Sequence, residues 1–462
     1  MNFNWLFVYL LPTLGFILAV LLLSHILRER RSPTSTLAWL MAIIFIPYAG
    51  VPLYLIFGGR KMLRKADAKR ELSSATSDDY GVAHPNGMSL FAPREGIFPA
   101  LAHNQVILLP SGEQAFRSIL ELIAQARHSV LIATFILGKD ETGSAIINAL
   151  AQKARDGLDV CLLLDALGSV RISRGYLSPL IEAGGRVAYF MPMIHWPFRG
   201  RANLRNHRKM VICDHQKAII GGMNLASEYM GPQDSADRWR DLSLQVEGPV
   251  IDHLLHVFRS DWEFASKTSI NEHPTVPPAR QAQANGVTQL VASGPDVRND
   301  SLRNAILTQI FRAKQRVWVV TPYFVPDELM LEALCIAVDR KVDVTLIIPK
   351  KSNHRFADLV REGYLSRLQE AGAKVNLYEP SMLHAKAILV DDTLAMIGSA
   401  NMDMRSMLLN YEIALCLYDA DQIKGLESWM LELNADCSPR KRLATHTFGI
   451  IEGVGRLFSP LL

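Results

Sequence analysis

The sequence predicts an α/β protein: two repeated α/β sandwich domains with mixed sheets, preceded by an N-terminal transmembrane helical hairpin. Three observations predict it. Two charge-free apolar runs open the chain, the order of helical and strand patterns in residues 106–270 returns in residues 287–440, and each half holds one copy of H-x-K-x-x-x-x-D. At 462 residues there is ample chain for several buried cores.

The hairpin occupies residues 1–65, with helices over about 5–27 and 37–57. No charged residue lies between Trp5 and Leu23 or between Leu37 and Phe57, and each run approaches the roughly 20 residues that a helix needs to cross a bilayer. A cleaved signal peptide and a buried core helix are the alternatives. No Lys or Arg precedes the first run, no small-residue cleavage site is clear, and a second run follows at once. Pro12, Pro47 and Pro52 are better tolerated in membrane helices than in soluble ones. The connecting loop carries Arg28, Arg30 and Arg31, but the segment after the second run carries Arg60, Lys61, Arg64, Lys65, Lys69 and Arg70. The larger cluster predicts that the chain beyond residue 60 is cytoplasmic, and it would attract anionic headgroups.

Residues 66–105, with "SSATSDDYG" and "HPNGM", read as a linker, and residues 271–286, "NEHPTVPPARQAQANG", as a second. In the first half "SILELIAQARHSVLIATFIL" precedes "AIINALAQKARDGLDVCLLLD"; in the second "AILTQIFRAKQRVWVVTPYF" precedes "LMLEALCIAVDRKVDVTLIIP". Both read as helix then buried strand, twice over, which indicates a mixed or mainly parallel sheet in each half. Residues 441–462 form a tail whose "THTFGIIEGVGRLFSPLL" suits a membrane-surface helix or a packing segment. The five cysteines are odd in number, lack C-x-x-C spacing and lie mostly in apolar runs, so they read as reduced core residues. A net charge of +4 from 49 basic and 45 acidic residues supplies no global field for nucleic acid.

The motif residues are His207, Lys209 and Asp214 in the first half and His384, Lys386 and Asp391 in the second. The match continues beyond them. Fourteen residues after each histidine stands a glycine, Gly221 or Gly398, and seventeen after it an asparagine, Asn224 or Asn401. Further on, Asp241 and Glu412 each precede an apolar strand. One such motif should arise by accident in about 3 chains of this length in 100. Two with matching glycine and asparagine are a strong signal. In extended backbone His207 and Lys209 share a face, as do His384 and Lys386, whereas Asp214 and Asp391 have the opposite parity and fall at turns.

Two histidines meeting across a pseudo-twofold axis, ringed by lysines and asparagines, suit phosphodiester chemistry. A neutral imidazole can attack phosphorus while a protonated one on the far side donates to the departing alkoxide. Two close imidazolium ions repel, so the pair should hold a single proton, as those roles require. Lysines and asparagines can clamp the non-bridging oxygens. The chemistry needs no cofactor or metal, and the chain offers no clustered carboxylates of the two-metal kind.

Through both H-x-K-x-x-x-x-D motifs and the "GGMN" and "GSAN" segments the chain resembles the phospholipase D superfamily. More closely, it resembles the bacterial cardiolipin synthases in "RSPTSTLAWLMAIIFIPYAGVPLYLIFG", "NHRK", "GGMNLASEY", "TPYFVPD", "LHAK", "GSANMDMRS" and the terminal "LFSPLL". The resemblance implies two phospholipase D-like domains. It makes His207 and His384 nucleophile and general acid/base, with His207 the nucleophile by analogy. Lys209 and Lys386 become phosphate ligands, and Asp214 and Asp391 orienters of the catalytic groups. Asn224 and Asn401 join as further substrate ligands, and Asp241 and Glu412 as substrate-site residues and imidazole partners. The implied enzyme is a multi-pass phosphatidyltransferase of the bacterial inner membrane that moves a phosphatidyl group from one phosphatidylglycerol to another through a phosphohistidine intermediate, giving cardiolipin and glycerol, with cytoplasmic catalytic domains, phosphatidylglycerol and other phospholipids as partners, and no nucleic acid. A membrane phospholipase D or nuclease using water at the same intermediate is the first alternative, for which the basic, aromatic stretch "HWPFRGRANLRNHRK" could serve a nucleic-acid backbone as well as lipid phosphates. A non-catalytic lipid-binding scaffold is the second.

Overall fold

Strand-forming runs of Val, Ile and Leu separated by amphipathic helices assemble into one large mixed sheet. The computed structural model describes residues 96–191, 204–270, 286–297 and 299–441, and, of the first 95, one helix and scattered positions. The chain divides into two units, residues 1–68 with 193–204 and residues 69–192 with 205–462.

In the first unit α1 (Pro33–Phe45) starts four residues before the predicted span, with proline in its first turn, where a missing N–H costs nothing. Ile43 is buried with Leu22, Ile26, Val51 and Tyr54, and Trp39 meets Tyr54 edge to face at 5.3 Å. Leu37, Met41, Ile44 and Phe45 are exposed. No helix among the described residues is long and apolar enough to cross a membrane. Most of the first predicted span, and the tail from residue 442, lie outside the described residues.

In the second unit the first half contributes β1 (Leu101–Leu109), β2 (Ser129–Thr134), β3 (Asp159–Asp165), β4 (Arg186–Phe190), β5 (Met210–Cys213), β6 (Lys217–Gly221) and β7 (Ser243–Glu247). Among them lie helices α2 (Gly112–Gln125), α3 (Glu141–Arg155) and α4 (Ser178–Glu182), with α5 (Val250–Ser266) following. The second half contributes β8 (Gly286–Ser293), β9 (Arg316–Val320), β10 (Phe324–Val325), β11 (Asp343–Pro349), β12 (Lys374–Tyr378), β13 (Ala387–Val390), β14 (Leu394–Gly398), β15 (Met402–Asp403), β16 (Glu412–Leu417) and β17 (Cys437–Pro439). Its helices are α6 (Ser301–Arg312), α7 (Glu328–Asp339), α8 (Arg355–Glu370), α9 (Met404–Leu408) and α10 (Ala420–Ala435).

Strand order shows the repeat. The first half runs β1-β7-β6-β5-β2-β3-β4 and the second β8-β16-β14-β13-β9-β11-β12, with β17 added at the edge. Within each half of the large sheet, three strands are parallel and the rest antiparallel: β2 beside β3 beside β4, and β9 beside β11 beside β12. Each half buries its own apolar cluster, of which Ile132, Leu150 and Leu162 are members in the first and Val319, Leu334 and Leu346 in the second. β10 and β15 form a short parallel pair whose first-half equivalent is the single bridge between Leu137 and Leu225.

The two half-sheets were expected to be separate; they are joined by antiparallel pairing of β1 with β8, giving fifteen strands in one sheet. Both joining strands touch the ends of the predicted linkers. Left unpaired, each would expose a row of backbone donors and acceptors, and mutual pairing removes both edges. β14 also packs against β6 and β7, so the halves face each other. The stretch read as the first linker is partly built into this unit: Leu72 is buried, its N–H donates to the Asp296 carbonyl, and the Lys69 side chain is only 3% exposed. All five cysteines are free thiols, four of them buried.

Candidate active site

Two short cross-connections set the geometry of the site. In one, the Tyr411 N–H donates to the Arg205 carbonyl and the His207 N–H to the Tyr411 carbonyl, both at 2.9 Å. In the other, the Arg240 N–H donates to the Met382 carbonyl at 2.8 Å and the His384 N–H to the Arg240 carbonyl at 2.7 Å. Each motif histidine, lying just ahead of β5 or β13, is thereby stitched to the other half beside the residue that precedes that half's acid. Glu412 follows Tyr411 and Asp241 follows Arg240, so the acid–imidazole pairs cross between halves.

His207 Nδ1 lies 3.0 Å from Glu412 Oε1 and 3.0 Å from the Ser399 carbonyl, both acceptors, so this nitrogen carries the proton. Its Nε2 then keeps a lone pair. His384 Nδ1 lies 2.6 Å from Asp241 Oδ2, which fixes the same tautomer. Lys386 Nζ lies 2.6 Å from His384 Nδ1 and 3.1 Å from Nε2. Because the Nδ1 proton is engaged by Asp241, the Nδ1 approach is an electrostatic contact rather than a second hydrogen bond. Lys209 Nζ donates to the His207 carbonyl at 2.8 Å, and Lys386 Nζ to the His384 carbonyl. All six side chains are buried.

Burial shapes the protonation states. Desolvation, assisted by Lys386, lowers His384 to about 3. Desolvation lowers His207 as well, with Glu412 opposing and Lys209 assisting. Lys209 falls to about 7 and Lys386 to about 8, both by desolvation against nearby carboxylates. Burial alone would raise Glu412 and Asp241, but the facing imidazoles and lysines hold both below the ordinary carboxylate range. Below about pH 7, with two ammonium groups, two carboxylates and two neutral imidazoles, this core is balanced. A phosphodiester monoanion entering it can bring one proton with it, the one a general acid needs.

The surroundings differ between halves. Phe135 packs against His207 with ring centroids 5.1 Å apart, while His384 lies between Tyr229 at 5.0 Å and Trp239 at 5.4 Å. Asn224 is buried, and its Oδ1 accepts from the Ile136 N–H at 3.1 Å. Asn401 is buried beside Asp403, whose carboxyl is raised to about 6 by burial. Sequence reasoning did not single out Asp403, Tyr229 or Trp239. Asp403 left one trace: it stands two residues after Asn401, where the first half has Ala226 after Asn224.

Asp214 and Asp391 are not in this cluster. Each sits past the far end of its strand in a left-handed conformation, φ 52° and 48°. Asp214 accepts from the N–H groups of Arg127, His128 and Ser129 at 2.7–2.9 Å, and Asp391 from those of Lys314, Gln315 and Arg316 at 2.8–3.0 Å. The expectation that they orient the catalytic groups meets a different placement, as staples at the starts of β2 and β9. The turn and the parity that the sequence showed are the reason.

Behind His207 lies a buried ionic cluster invisible in the motif. Arg208 Nη1 donates to Asp261 Oδ1 at 2.7 Å, and Asn206 Nδ2 to Asp261 Oδ2 at 3.0 Å. Lys69 pairs with Asp261 and, at 2.7 Å, with Asp296, its ammonium 4.7 Å from the Tyr411 ring centroid. Two cations and two carboxylates thus lock the residues on either side of the motif histidine. Of the basic, aromatic stretch 195–209, residues 195–203 lie outside the described residues.

Residues 119–262 and 306–433 match the family model described as "Cardiolipin synthase, PLD-like domain", and residues 17–59 the one described as "Phospholipase_D-nuclease N-terminal". The chain is 35% identical over 467 residues to "Cardiolipin synthase 1" of Bacillus anthracis, covering 94% of this chain and 90% of that one. It is 34% identical over 465 residues to "Cardiolipin synthase A" of Pseudomonas putida (strain W619), covering 96% of each. Among solved structures, phosphatidylserine synthase of Haemophilus influenzae Rd KW20 is similar with a TM-score of 0.61, covering 78% of this chain and 95% of that one. At 16% identity that likeness is one of fold.

Proposed function

The chain belongs to the cardiolipin synthase family of phospholipase D-like proteins, and on that premise we propose how its site carries the transfer. The enzyme is a phosphatidyltransferase that makes cardiolipin. One phosphatidylglycerol is the donor: His207 Nε2 attacks its phosphorus, the P–N bond forms, and the P–O bond to glycerol breaks as protonated His384 gives its Nε2 proton to the departing oxygen. A second phosphatidylglycerol then gives its hydroxyl proton to His384. Its oxygen bonds phosphorus as the P–N bond breaks, yielding cardiolipin and returning His207 to the neutral form.

The crossed pairing of His207 with Glu412 and His384 with Asp241 supports this reading, because it fixes both Nδ1 protons and leaves both Nε2 atoms for the chemistry. His207 is favoured as nucleophile since the Nε2 of His384 has Lys386 against it. A bound phosphate would draw Lys386 to its oxygens and free that nitrogen to take a proton. Lys209 and Lys386 then neutralise the charge that grows on the non-bridging oxygens, with Asn224 and Asn401 beside them. Asp214 and Asp391 are structural staples in this scheme.

The matched N-terminal family segment supports a membrane protein. The charge-free runs and the exposed apolar face of α1 favour a two-helix hairpin in the bacterial inner membrane, with the basic cluster after residue 60 and the catalytic unit on the cytoplasmic side. Purified full-length enzyme given acyl-labelled phosphatidylglycerol tests the reaction. Cardiolipin and glycerol in equal amounts are expected. Phosphatidic acid as the main product would replace transfer with hydrolysis.

A further inference from the structure

Each half presents an exposed segment at the histidine end of the sheet, a loop in the first half and a loop with the first turn of α8 in the second. In the first half the loop follows β3. Ser169 Oγ donates to the Phe135 carbonyl at 3.0 Å and accepts from the Leu137 N–H at 3.1 Å, and a Cβ on Gly168 would come within 2.2 Å of that carbonyl. The loop is therefore clamped to the residue whose ring packs on His207. Its outward side chains, Leu167 and Val170, are 40% and 59% exposed. Arg171 and Arg174 are exposed beside them, and residues 166–177 contain no acid.

The second half repeats this after β11, the counterpart of β3. Tyr323, one residue beyond the counterpart of Phe135, bonds to Asn353 and has the His354 ring 6.0 Å away. Phe356 and Leu359 are 44% and 39% exposed. Lys351 and Arg355 are exposed next to them, and the one acid of residues 350–359, Asp358, is engaged by the Ser352 N–H at 2.9 Å and by Arg361 at 3.0 Å.

A single exposed leucine needs no explanation, but a similar apolar-plus-cationic pattern in two segments related by the internal repeat, one braced against the residue whose ring packs on His207 and the other against Tyr323, does. We propose that these two segments seat the histidine end of the catalytic unit on an anionic membrane surface, with Leu167, Val170, Phe356 and Leu359 entering the interface and the flanking cations binding acidic headgroups. Charge complementarity selects this partner: the substrate itself supplies a negative surface. The inference rests on the phosphatidylglycerol reading above, and it explains how headgroups reach a histidine pair that is at most 8% exposed without their chains leaving the bilayer. The hairpin keeps the protein at the membrane; the loops set which face of the catalytic unit meets it.

Full-length protein in liposomes of phosphatidylglycerol and phosphatidylcholine tests this, using a Cys437→Ser background labelled with an environment-sensitive dye at Val170→Cys or Phe356→Cys. Both labels should shift to the blue and be quenched by lipids spin-labelled in the shallow acyl region. A label at Phe311→Cys, exposed near the Asp391 end of the sheet, should not. Leu167→Asp with Val170→Asp should slow conversion of bilayer phosphatidylglycerol at least tenfold while leaving a short-chain, monomeric phosphatidylglycerol within twofold. Labels that stay in water, or equal turnover on bilayers, overturn the proposal. If the variant fails on both substrates, the labels in the otherwise unchanged protein decide. If the labels enter the membrane while the parent enzyme makes no cardiolipin, the reaction assignment fails and the docking surface stands.

Discussion

At the residue scale, the two histidines have depressed pKa values, and in the proposed transfer an anionic substrate completes them. Lys209 at about 7 and Lys386 at about 8 have folded pKa values below the ordinary 10.5, so each loses its charge as pH rises through those values. The free enzyme should therefore bind phosphodiester less well above pH 7 to 8, and kcat/KM should fall across that window. Bound substrate stabilises the ammonium forms, so kcat should hold to higher pH. A pH profile that separates the two parameters checks this. Glu412→Gln leaves His207 without a carboxylate, and kcat should fall by about 100-fold or more, as loss of tuned acid–base chemistry does. The motif histidines, lysines and asparagines were legible because the repeat copied their offsets. Glu412 and Asp241 were legible as imidazole partners, but not their crossing, which depends on backbone bonds at Tyr411 and Arg240. Tyr229, Trp239 and Asp403 have no matching partner in the other half and so left no repeated trace.

At the element scale, the last residue of each motif ties an antiparallel strand to the start of its neighbour. Asp214→Ala removes the acceptor of three N–H groups at the entry to β2. Since those donors are partly exposed and water can replace the carboxylate, the cost should be about 1–3 kcal/mol of stability. Activity per folded molecule should persist; chemical denaturation alongside a turnover assay measures both. Loss of turnover in a fully folded variant would return Asp214 to the chemistry. The alternating helices and apolar strands announced the layered α/β class, and the halves were evident from their order. The join between β1 and β8 was not, because strand patterns record which faces are buried but not which edge meets which.

At the scale of the whole molecule, two halves share one site, and a segment read as linker is part of its support. Lys69 balances Asp261 and Asp296 together with Arg208. Lys69→Met should destabilise the catalytic unit by roughly 3–5 kcal/mol, since it strands a buried negative charge. Adding Asp296→Asn should recover a good part of the loss, and thermal unfolding of the single and double variants would register it. Composition marked that stretch as polar and turn-rich; a lysine that is buried through ion pairing looks the same in sequence as one in water. The most direct test of the central claim is mass spectrometry of enzyme quenched at alkaline pH during turnover of phosphatidylglycerol. The account predicts a phosphatidyl adduct on the peptide containing His207, absent from His207→Ala. An adduct on His384, or turnover with none on either histidine, would contradict it.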